Sequence, residues 1–85
     1  MVDPVDVATR ARKIVSEILE VPVDEVKDES FFVEDLDAES IQSVELMAAF
    51  EEEFGIEMDE EEAMAVKTVG AAVAYIMKCI QEQKT

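Results

Sequence analysis

Apolar residues recur every three or four positions over three stretches of the chain, and they nowhere alternate long enough to make a strand. The first stretch predicts a helix over residues 4–20, with Ala11, Ile14, Val15, Ile18 and Leu19 inward and Arg10, Arg12, Lys13, Glu17 and Glu20 outward. Asp3 can cap it. Pro4 suits the first helical position, where a missing N–H costs nothing, and Asp6 complements the positive end of the helix. Pro22 ends it. The second helix is predicted over residues 40–54. Ile41, Val44, Met47, Ala48 and Glu51, with Leu46, Phe50 and Phe54 one step round, give a broad surface, leaving Glu45, Glu52 and Glu53 wet. Gly55 can close this helix in a left-handed conformation.

Asp59 followed by Glu62 marks the start of a short helix ending near Val66. Thr68 then caps a last helix whose buried stripe is Val69, Ala72, Val73, Ile76 and Ile80. Residues 21–39 carry no sustained period and read as a long connection pinned by Val23, Val26, Phe31, Phe32 and Leu36, with room for a turn of helix after Ser30. The predicted fold is all-α, a bundle of three main helices and one short helix with a long first connection. No linker or repeat divides it, so residues 1–85 are taken as one domain.

Charge changes this picture more than composition does. The chain has 85 residues, 49% of them hydrophobic, with 22 acidic and 7 basic side chains and a net charge of -15. The excess is local: residues 24–62 carry 17 acids against the single base Lys27, whereas residues 1–23 and 63–85 are close to neutral. Nucleic acid and anionic membrane surfaces are disfavoured as partners, basic protein surfaces are favoured, and self-repulsion favours a monomer. The opening Met1-Val2-Asp3-Pro4-Val5-Asp6 lacks the basic start and apolar run of a secretory leader, and no run of residues is apolar enough to span a bilayer. A cytoplasmic location is expected. One cysteine and no histidine exclude an internal disulfide, the usual zinc sites and every histidine relay.

Candidate chemistry is sparse. Asp35, Asp37, Glu39, Ile41, Ser43 and Glu45 alternate as in a calcium loop, but Ser40 stands where such a loop needs glycine and Leu46 where it needs a bidentate glutamate. No dedicated metal site is therefore expected, which leaves open a loose, structural association of divalent cations that relieves carboxylate repulsion, and chance carboxylate pairs do not make a catalyst in so small a chain. Cys79, among Ile76, Met77 and Ile80, reads as a buried structural thiol. Ser40 reads as a helix cap or first-turn hydroxyl that nothing nearby activates as a nucleophile. Its distinction is position: it opens the second helix, and a group attached to it would project from an acidic corner beside an apolar helix face.

The run Phe32-Val33-Glu34-Asp35-Leu36-Asp37-Ala38-Glu39-Ser40-Ile41 resembles the acyl carrier protein family. So do Val44-Glu45-Leu46, the segment Phe50-Glu51-Glu52-Glu53-Phe54-Gly55-Ile56, and Thr68-Val69-Gly70 leading to Tyr75-Ile76, in the family's order and spacing. The resemblance implies a four-helix carrier without enzymatic activity. Ser40 would be esterified with 4'-phosphopantetheine from coenzyme A by a phosphopantetheinyl transferase, and acyl groups would ride as thioesters on the arm, sheltered between helices. Cys79 would take no part. The family's usual Gly-Ala-Asp-Ser-Leu appears as Asp37-Ala38-Glu39-Ser40-Ile41.

By the same resemblance Glu39, Glu45, Glu51 and Glu52 would meet basic docking patches on acyl-processing enzymes of fatty acid or related lipid and polyketide synthesis. Ile41, Val44 and Ala48 would supply apolar contacts between them. A focused negative surface speeds such encounters and keeps them transient and salt-sensitive. The carboxylates are unsuited to holding the arm itself, whose phosphodiester is also negative. Two rival readings stay open: an unmodified carrier-like interaction module, and a carrier loaded with a polyketide or aminoacyl unit.

Overall fold

A computed structural model describes residues 3–83. Four helices run in the order α1 (Pro4–Leu19), α2 (Ser40–Phe54), α3 (Glu60–Ala65) and α4 (Val69–Gln83), with a single 3-10 turn at Val23–Glu25 in the long first connection. α1 packs against α2 and α4, and α2 against α4. Val7, Val15, Val69 and Ile76 are the most deeply buried side chains, so the core centres on the α1 and α4 stripes.

Caps behave as the sequence implies. Asp3 accepts the Val5 N–H at 2.9 Å, Asp59 the Glu62 N–H at 3.1 Å and Thr68 Oγ1 the Ala71 N–H at 3.1 Å. Gly55 closes α2 with φ 63°. α1 ends one residue earlier than expected because Glu20 itself turns left-handed, φ 56°, and its N–H bonds the Ser16 carbonyl. Val7 joins the α1 stripe, while Ile14 and Ile18 are only partly buried. At the α1–α2 contact Arg10 closes the seam. Its Nε lies 2.7 Å from Glu53 Oε2, a second guanidinium nitrogen donates to the Glu53 carbonyl at 3.0 Å, and its Cζ sits 4.7 Å from the Phe54 ring centroid.

The first connection is held by fewer apolar anchors than expected. Val26 and Leu36 are buried and Phe32 is half-buried, but Val23 and Phe31 are exposed, at 51% and 43%. Backbone pairing replaces them. Loop carbonyls of Asp28 and Ser30 accept the Gly70 and Val69 N–H groups at 2.8 and 3.0 Å, satisfying donors that the start of α4 would leave unpaired. The Phe32 N–H returns a bond to the Lys67 carbonyl at 3.0 Å, and Phe31 and Thr68 form an isolated antiparallel bridge. Ser30, buried at the centre of this patch, accepts from the Lys27 N–H and donates to the Glu25 carbonyl. Arg12 adds an ion pair to Asp28 at 3.2 Å.

Candidate functional site

The end of the first connection aims Ser40. After the bridge, the Asp35 and Leu36 N–H groups fold back onto the Phe31 carbonyl at 3.0 and 3.1 Å, which makes a hydrogen-bonded turn in place of the turn of helix expected after Ser30; the helical turn of this connection lies earlier, at Val23–Glu25. Asp35 Oδ2 accepts the Phe31 N–H at 2.8 Å. Leu36 and Ala38 point into the core, and Asp37 between them adopts φ 55°, reversing the chain toward α2. Glu39 is the N-cap, and the Gln42 side chain accepts the Glu39 N–H at 2.8 Å in a capping box. Ser40 is therefore the first residue of the helix, exposed, and among the described residues no protein group bonds its hydroxyl.

An open groove of about 770 Å³ runs beside Ser40, between the loop, α2 and α3. Phe32, Met47, Ala63 and Val66 give it an apolar floor that continues into an inner cavity of about 60 Å³ reaching Phe50 and Tyr75. Its rim carries Glu34, Glu39 and Glu60, with Lys67 as the one cation among the lining residues. Val33, Ile41, Val44 and Met64 stand around the mouth, each more than 60% exposed. Four large apolar groups kept in water around one hydroxyl are a surface shaped for contact.

The residues placed on the partner face by resemblance divide in two. Glu39, Ile41, Val44, Glu45, Ala48 and Glu52 are exposed along α2. Glu51 is half-buried, and its Oε2 accepts the Met58 N–H at 2.9 Å. Met64, Val33 and Lys67 at the groove, and Tyr75 in the cavity, were not singled out by periodicity: the first three lie in segments too short for a period, and Tyr75 stands beside the α4 stripe. Cys79 is buried, and burial pushes its thiol pKa up, although Tyr75 bonding and Lys78 act the other way. Among the described residues no group of three or more cysteine and acidic side chains could hold a metal ion, and no helix is long and apolar enough to cross a membrane.

A phosphopantetheine arm needs an accessible hydroxyl and space for an extended, mostly uncharged chain. Ser40 and the groove meet both needs, and the start of α2 presents partial positive charge toward a phosphodiester. Residues 9–76 match the family described as "Phosphopantetheine attachment site". The fold is similar to the solved structure of the acyl carrier protein from Enterococcus faecalis, described for structural components that contribute to its high thermal stability. The TM-score is 0.77 and the identity 36%, over 92% of this chain and 99% of that one. Since family match and fold coincide over nearly all of the described residues, the chain belongs to the acyl carrier proteins, non-catalytic carriers that bear phosphopantetheine.

Proposed function

We propose that Ser40 is the attachment point of the 4'-phosphopantetheine arm and that the acidic α2 face delivers the arm's acyl cargo to enzymes with basic docking patches. The supporting observation is the unpartnered, exposed Ser40 hydroxyl at the first turn of α2 and at the mouth of an apolar groove. Once attached, the arm supplies the thiol on which an acyl group is held as a thioester. The chain's own residues orient and shelter. Ile41 and Val44 offer apolar contact beside the arm, while Glu39, Glu45 and Glu52 steer a cationic surface toward it. Phe32, Met47, Ala63 and Val66 give a short apolar cargo a place out of water next to the attachment point.

Incubation with a broad-specificity phosphopantetheinyl transferase and coenzyme A should add one arm to the intact mass, and Ser40→Ala should abolish the gain. A wild-type chain that gains nothing, or a variant that gains as much, refutes the assignment. The mass of the thioester carried by protein isolated from its native cell identifies the cargo and separates fatty acyl, polyketide and aminoacyl loading.

A further inference from the structure

The connection between α2 and α3 is fastened at three successive backbone N–H groups by side chains from elsewhere in the bundle. Gln83 Oε1 accepts from Glu57 at 2.7 Å, Glu51 Oε2 from Met58 at 2.9 Å and the Tyr75 hydroxyl from Asp59 at 2.8 Å. Gln83 Nε2 also donates to the Glu57 carbonyl at 2.7 Å, and Tyr75 to that of Asp59 at 3.4 Å. Asp59 in turn caps α3.

α3 needs this clamp. Its six residues include no buried one, and its one ion pair among the described residues, Glu62 to Lys78 at 3.5 Å, joins two side chains more than half exposed. Exposed pairs of this kind hold little. The helix nevertheless supplies Ala63 to the groove wall and Met64 to its rim, so the wall stands where the ends of α3 are tied.

We propose that Glu51 is a positioning residue, which holds the α3 wall of the groove by accepting the Met58 N–H, and that it does not serve as a docking charge. Its half-buried carboxylate is turned toward the 56–59 backbone, whereas Glu45 and Glu52 on the same helix remain exposed. A cation on a partner that engaged Glu51 would have to draw it off an N–H with no other acceptor among the described residues, leaving that donor unpaired. The functional weight of the clamp rests on Ser40 carrying the arm, while the clamp itself is a property of the unmodified chain.

The amide of glutamine keeps an acceptor oxygen and loses the charge, so Glu51→Gln separates the two roles. In native-state hydrogen exchange on the unmodified protein, Glu51→Ala should speed exchange at Met58 and through α3 by about tenfold, the loss of one charge-assisted bond, while Glu51→Gln stays within about twofold of wild type. Equal acceleration by both variants, no acceleration by either, or the same acceleration at Val15 in α1 overturns the proposal. In the transferase reaction, Glu51→Gln should leave KM and its salt dependence as in wild type. A severalfold rise in KM at low salt that disappears at high salt assigns Glu51 to docking and also overturns it.

Discussion

Glu20 and Asp37 both stand in the left-handed region, at φ 56° and 55°, where a β-carbon crowds its own backbone. Asp37 has a short side chain of the kind that visits this region, but Glu20 has no such relief, and its only task there is to end α1. Glycine does that task without crowding. Against it stands the extra freedom glycine gives the unfolded chain. The crowding relieved is the larger quantity, so Glu20→Gly should raise stability by about 0.5 kcal/mol, seen as a higher urea midpoint at unchanged slope. A lower midpoint would mean that Glu20 makes a compensating interaction. Such backbone reversals leave little trace in sequence: Gly55 announced the end of α2, whereas the end of α1 was expected one residue late, Pro22 being the only visible stop. Caps were legible at Asp3, Asp59 and Thr68 because a cap depends on one residue and the three that follow it. Ser40 was legible as a helix-opening hydroxyl, but its attachment role came from the family pattern, since no neighbour marks it chemically.

The helices were legible as elements, and the connection between α1 and α2 was not. A helix advertises itself by spacing within its own residues, but the connection is shaped by carbonyls of Asp28 and Ser30 pairing with N–H groups some forty positions on. The Glu51, Tyr75 and Gln83 clamp was hidden for the same reason, its donors and acceptors coming from three separate segments. Gly70 is where the loop and α4 touch most closely. A β-carbon there would lie 3.0 Å from the Asp28 carbonyl oxygen, which already accepts the Gly70 N–H. Alanine is the better helix former, yet at this contact the loop would have to retreat. Gly70→Ala should therefore lower stability by about 1 kcal/mol and speed amide exchange at Val69 and Gly70, measurable by denaturant titration and hydrogen exchange. A stabilised variant with unchanged exchange would show that the loop yields without cost.

Across the whole molecule acids far outnumber bases, and among the described residues three of the bases are tied up in ion pairs. Arg10 pairs with both Asp6 and Glu53, Arg12 with Asp28 and Lys78 with Glu62, and 7 bases against 22 acids leave the balance strongly negative. Crowding of like charge between residues 24 and 62 opposes the compact state, and dissolved ions screen it over about 10 Å at 0.1 M. Raising sodium chloride from about 0.02 to 0.2 M should lift Tm by roughly 5 °C, while the same salt weakens docking to a basic partner. Differential scanning calorimetry reads the first effect, and a falling Tm would mean that the few ion pairs outweigh the repulsion. On the proposed docking role the same acidic surface would serve encounter while it burdens folding, and α1 and α4, which flank it, are free of the excess.

The burial of Cys79 has a practical side for a carrier whose cargo bond is a thioester. A protein thiol able to reach that bond could take the acyl group by exchange and trap it away from the arm. Buried on the core side of α4 next to Tyr75, with its proton held by burial, the cysteine is withdrawn as a rival acceptor, so acyl traffic on the proposed arm would not be diverted to it.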